Sequence, residues 1–132
     1  MNFLDLTTDA RLMRNGNETL LRESEYTDDK LINWYKDAAL NDLQQDITEV
    51  LQLDYNDYDT LNTIATNYTD KLKNVLAFRQ LFYIYWNIFD GVGTVAGEKF
   101  KYYDKQYNLA KSQFNQLRNK ALTNISVMDV KL

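Results

Sequence analysis

The stretch VLAFRQLFYIYWNIFDG, Val75–Gly91, decides the fold. A run this apolar and aromatic crosses a membrane, fills a core or meets another chain. Crossing a bilayer takes about 18–20 largely uncharged apolar residues. Leu76–Phe89 is fourteen residues long, Arg79, Gln80 and Asn87 among them, and is closely preceded by Lys71 and Lys73. The span is too short and too polar, so no membrane partner is expected.

Placed on a helical wheel, Val75, Phe78, Phe82, Tyr85 and Phe89 form one stripe. Ala77, Leu81, Ile84 and Ile88 form a second, about 110° away. Leu76, Tyr83 and Trp86 share the far flank of the first stripe with Arg79, leaving a thin polar seam of Lys73, Gln80 and Asn87. An ordinary surface helix hides one stripe and shows a wide polar face. The pattern therefore predicts that two other helices cover part of this one and that a second copy covers the rest, because monomers seldom expose large apolar patches. Arg79, Tyr83, Trp86 and Leu76 are the candidate subunit interface, rich in the residue types that dominate interfaces. The rival expectation is that the chain's other helices and its N-terminal arm bury the whole rod.

Gly91-Val92-Gly93 ends this helix. Beyond it Ala96, Phe100, Tyr103, Tyr107, Ala110, Phe114, Leu117 and Ala121 step by fours and threes, a heptad seam on a helix roughly 40 Å long. Upstream, Ile32, Tyr35, Ala39, Leu43, Ile47 and Val50 predict a helix from an N-cap at Thr27 to about Leu53. The LDYNDYDT connection begins like a calcium loop. It has Tyr58 and Asp59 at the fifth and sixth positions and no glutamate at the twelfth, so Asp57 or Asp59 is expected instead to cap a short helix over Thr60–Thr66. Asn15-Gly16 between short apolar runs predicts a type I′ hairpin at about residues 10–21. The expected fold is mainly α. It is a three-helix antiparallel bundle over residues 27–122, with an N-terminal arm (1–26) carrying the small β-hairpin and an extended C-terminal tail (123–132), all in one domain of 132 residues.

The chain has no cysteine and no histidine. Disulfides, thiolate metal sites and Ser-His or Cys-His nucleophile pairs are thereby excluded. The aspartates fit helix starts and turns, and none sits in the apolar setting that splits the pKa values of a carboxylate pair. Gly91, Gly93 and Gly97 match no phosphate-loop spacing. No catalytic, metal or cofactor residues are expected, and no enzyme. The start MNFLDLTTDARL lacks a basic segment followed by an apolar one, so cytoplasmic synthesis is the expectation. The net charge of −4 hides a division. Residues 1–70 carry fifteen acids against five bases, and residues 71–132 four against ten. Such polarity suits head-to-tail contacts between copies. Neither half suits nucleic acid, since the basic half lacks a dense cluster and the acidic half repels phosphate.

The element order around LKNVLAFRQLFYIYWNIFDG and EKFKYYDKQYNLAKSQFNQLRNKA resembles the head–tail adaptor (connector) proteins of tailed bacteriophages. The family's core-helix texture falls here on Lys73, Ala77, Leu81 and Tyr85. The texture of the next helix falls on Tyr103, Tyr107, Ala110 or Lys111, Phe114, and Leu117 or Arg118. The resemblance covers roughly residues 69–121, and the N-terminal hairpin departs from it. Hairpins of that kind also occur in phage baseplate and tail components, the nearest competing resemblance. The adaptor resemblance implies a non-enzymatic subunit of the virion neck, assembled in the host cytoplasm. It implies a ring of about twelve copies between the portal protein and a tail or stopper protein. DNA would pass through without specific binding. Ile125, Val127, Val130 and Leu132 would then be a partner-docking tail. The alternative is a small helical protein-binding module, or a phage tail or baseplate component without a ring.

Overall fold

The structure, a computed structural model, describes residues 1–8, 35–87 and 95–114, without the side chains of Val95 and Ala96. These residues are mainly helical. A 3-10 turn at Phe3–Asp5 is followed by α1 (Lys36–Leu51), α2 (Tyr58–Asn67), α3 (Thr69–Asn87) and α4 (Val95–Ser112). No strand occurs among the described residues. The hairpin expected at residues 10–21, the N-cap at Thr27, the glycine break and the tail all lie outside them.

Local chemistry sets the boundaries. Tyr35 precedes α1 in the left-handed region, at φ 59°. The expected continuous helix through Tyr35 is therefore interrupted there. That backbone costs a non-glycine residue about 1 kcal/mol or more, and it sets the Tyr35 ring against Tyr83 with centroids 5.7 Å apart. At its other end α1 closes on Gln52, also left-handed at φ 57°. The Leu53 amide bonds the Thr48 carbonyl at 2.8 Å and the Gln52 amide bonds that of Glu49 at 3.3 Å, a Schellman closure without its usual glycine. Asp57 caps α2, its carboxylate accepting from the Thr60 amide at 3.2 Å and the Thr60 hydroxyl at 2.9 Å. Tyr68, at φ −129°, separates α2 from α3.

The rod is α3, and its own chain shelters it. Leu72, Val75, Leu76, Ala77, Gln80, Leu81, Ile84 and Tyr85 are all buried, and on the wheel they point in nearly every direction. Trp86 is the one large apolar side chain of α3 left exposed. The described part of the rod, Thr69–Asn87, thus leaves little for a second copy to cover; Ile88 and Phe89 lie outside the described residues. Leu76, a candidate interface residue, lies wholly inside the core and reaches no outer surface.

Two features supply the missing cover. Gln80, expected on a solvent-facing seam, is fully buried and accepts a hydrogen bond from the Thr8 hydroxyl. This polar contact helps an amide stand where the wheel pattern asks for water. The N-terminal residues also fold back. Phe3 and Leu6 are wholly buried, the Phe3 amide donates to Asn62 Oδ1 at 2.7 Å, and the Met1 amine bonds Thr66 Oγ1 at 2.8 Å. Each such buried side chain contributes about 1.5–3 kcal/mol through removal from water.

The described part of the heptad seam, Phe100 to Phe114, faces the core; Leu117 and Ala121 lie outside the described residues. Tyr103, Tyr107 and Phe114 are buried, and Ala110 packs against the core. α3 runs antiparallel to α4: Phe82 stacks on Phe100 (4.8 Å between centroids), Phe78, one turn earlier on α3, meets Tyr103 (6.4 Å), and Lys71 and Asn74 share a groove with Leu109 and Gln113; Tyr85 also stacks on Tyr103 (5.6 Å).

Because a left-handed residue suits glycine, Gln52→Gly should raise stability by about 0.5–1 kcal/mol despite the added freedom of the unfolded chain. A urea midpoint moving upward with unchanged slope checks this; a midpoint moving downward contradicts the assigned cap geometry.

Candidate functional site

Three pairs of residues, each spaced by four, meet where α1, α3 and α4 pack. α1 presents Asp42 and Asp46, α3 presents Arg79 and Tyr83, and α4 presents Tyr107 and Lys111. Side chains four apart share a helix face, so the pair on α3 and the pair on α4 each converge on one carboxylate of α1.

Arg79 is the hub. Its Nε bonds Asp42 Oδ2 at 2.8 Å and its Nη1 lies 3.5 Å from Asp104 Oδ1 on α4. Its guanidinium carbon stands 4.4 Å from the Phe82 ring centroid, 4.6 Å from that of Tyr107 and 5.3 Å from that of Tyr83. A planar cation suits this box, with ring faces beside it and carboxylates at its edge. The Tyr83 hydroxyl donates to the same Asp42 oxygen. One turn along α1, Asp46 accepts from the Tyr107 hydroxyl and pairs with Lys111 Nζ at 3.3 Å. Through Arg79, Asp42 stands level with Asp104, while Asp46, one turn on, meets Tyr107 and Lys111, so α1 runs parallel to α4 and hence antiparallel to α3.

The electrostatics follow from burial and these partners. Burial works against the charge of Arg79, but the hydrogen bond and attraction to Asp42 outweigh it, and its pKa rises. The Tyr83 phenol is pushed up by burial and by donating to the Asp42 carboxylate. Tyr107 is pushed up strongly, first by burial and then by its bond to Asp46. All three groups move away from neutrality, so this junction holds helices together and is not poised to transfer protons near pH 7.

Two of the sequence-predicted interface residues, Arg79 and Tyr83, are thus brought together facing α1 and α4 within the chain. Leu76 sits beneath them in the core, and Trp86 is 56% exposed one turn beyond Tyr83. Ile125, Val127, Val130 and Leu132 lie outside the described residues. The junction also absorbs part of the charge division, since Asp42 and Asp46 of the acidic half meet Arg79 and Lys111 of the basic half. Sequence reasoning missed Asp42 and Asp46. Their spacing, matched by Arg79/Tyr83 and Tyr107/Lys111, was the available signal.

Among the described residues no group of three or more acidic side chains is placed to hold a metal ion, and no helix is long and apolar enough to cross a membrane. Comparison with protein-family models, curated proteins and solved structures finds no match to this chain.

Tyr107→Phe should cost about 1.5–3 kcal/mol at neutral pH, the value of a hydrogen bond to a charged acceptor. The raised folded-state pKa means that this contribution is complete below the unfolded phenol's value near 10 and is lost as pH rises beyond it. The stability gap between native chain and variant should therefore narrow above about pH 10. A gap that stays constant from pH 7 to 11 in urea titrations contradicts the Tyr107–Asp46 bond.

Proposed function

We propose that the chain is a non-enzymatic structural subunit that works through contacts with copies of itself and with neighbouring proteins. Its specific role in this proposal is that of a phage head–tail adaptor, in a ring of about twelve copies between portal and tail or stopper protein. The observation that carries the proposal is the charge left over after the junction has formed. On the α1–α2 side Asp37, Glu49, Asp54 and Asp59 are exposed, while α4 exposes Lys101 and Lys105. A body that is acidic on one part and basic on another associates with itself head to tail, and such contacts close into rings when the rotation permits. The resemblance adds support. Ala77, Leu81 and Tyr85 with Tyr103, Tyr107 and Phe114, positions carrying the family's texture, are all buried.

In this role the hairpin arm and the tail with Ile125, Val127, Val130 and Leu132 are the reaching segments, completing the bundle-with-arms architecture. Acidic side chains facing the channel repel phosphate, so DNA slides through without specific binding. The particle is built in the host cytoplasm and remains in the virion.

A second proposal is favoured by α3 being sheltered within its own chain. Here the protein is a small helical binding module, or a phage tail or baseplate component, gripping one partner through the exposed Trp86.

Mass photometry and negative-stain electron microscopy of the purified chain, alone and mixed with portal protein, separate the two. Closed rings in either sample are expected. A chain that stays a single copy with portal present, and binds some other protein with an affinity that Trp86→Asp abolishes, sinks the ring and supports the module.

A further inference from the structure

A groove of ≈ 420 Å³ runs between α3 and α4, within the range of about 300–1,000 Å³ typical of clefts that take a ligand-sized group. Val75, Phe78, Leu109 and Ala110 supply its apolar surface, and Lys71, with its charge exposed, stands at its edge. No carboxylate lines it. Leu109 is 50% exposed, and so is Tyr102, two helical turns earlier on the same side of α4, with the exposed Lys105 between them. This is an apolar strip with a cationic border on the outside of the protein.

The turn joining α1 to α2 is the converse. Asp54, Tyr55 and Asn56 project into solvent, with the exposed Asp59 just beyond. Tyr55 is held in place although exposed. Its hydroxyl donates to Asn41 and its carbonyl accepts from Gln44 Nε2 at 2.7 Å. The Asp57 amide bonds the Asp54 carbonyl at 3.0 Å and that of Tyr58 bonds Asn56 at 2.8 Å, which closes the turn. An aromatic ring presented rigidly between carboxylates is an efficient anchor, because little freedom is left to lose on binding.

We propose that the Asp54–Asp57 turn of one copy docks into the α3–α4 groove of a second copy, with Tyr55 against Leu109 and the carboxylates beside Lys71 and Lys105. This inference rests on the self-assembly proposed above and names the two surfaces that meet. Charge decides the pairing. Groove against groove sets lysines together and turn against turn sets aspartates together, whereas turn into groove joins opposite signs. The contact is heterologous, so each copy offers a turn to one neighbour and a groove to another. Both surfaces belong to the end of the molecule shared by the α1 C-terminus, the α3 N-terminus and the α4 C-terminus. Successive copies are therefore set side by side.

The test uses two variants of the full chain, each altered only at exposed positions and each checked for native helicity and melting temperature. Lys105→Glu with Leu109→Asp spoils the groove, and Asp54→Lys with Tyr55→Ala spoils the turn. Sedimentation velocity should show native chain forming oligomers that weaken as salt is raised. Each variant alone should associate at least about tenfold more weakly than native chain. An equimolar mixture should form 1:1 heterodimers and nothing larger, since one intact groove and one intact turn remain. Native assembly with both variants assembling normally overturns this contact and leaves the ring proposal standing. Weakened association in one variant only points to a self-complementary interface and likewise overturns it. Native chain that stays monomeric at every concentration, alone and with portal protein, overturns both.

Discussion

The arrangement depends on two carboxylates of α1. Asp42 and Asp46, one turn apart, receive a guanidinium, two phenols and an ammonium from two other helices. Neither α3 nor α4 can slide along α1 without breaking several of these bonds at once. Hydrophobic packing alone is tolerant of such shifts, because one leucine fits where another did. The junction is only partly buried, with the Arg79 and Asp42 side chains 20% and 22% exposed. Its effect on register is therefore larger than its effect on total stability, since solvent screens much of the ion-pair energy.

With the helices fixed in this way, the rod at the centre has its surroundings decided. α1 and α4 close around it through the junction, and Phe3 and Leu6 are buried in the same core as Leu72 and Leu76. Among the described residues, what remains for other molecules is on the outside, in Trp86, Tyr102, Leu109, Tyr55, Met1 and Leu4 and the charges around them. A protein organised in this manner completes its core first and recognises partners afterwards. The free chain should accordingly be well folded.

Much of this was legible in the residues themselves. The heptad steps from Phe100 to Phe114 placed Tyr103 and Tyr107 in the core, because periodicity reports which side of a helix is hidden. That Asp57 or Asp59 would cap a short helix, as Asp57 does, was legible from their position before an apolar-periodic run. The shelter of α3 was not. A wheel treats glutamine as a surface residue, and nothing local announces that Thr8, seventy-two residues earlier, will satisfy Gln80. Nor does a wheel show Tyr35 leaving the helical region, a residue whose left-handed backbone accompanies a stacking partner forty-eight positions away. Arg79 and Tyr83 were expected to face a second copy. Their partners turned out to be within the chain, because composition shows that a residue type seeks contacts but not whose contacts it finds.

The central claim is that α3 is enclosed by its own chain before any assembly takes place. Hydrogen exchange on the dilute, monomeric protein tests it most directly, read at the amides from Leu72 to Tyr85. The account predicts exchange only through global unfolding, with protection that does not change on dilution. Fast local exchange along those residues, slowed only when the protein is concentrated or a partner is added, would contradict it.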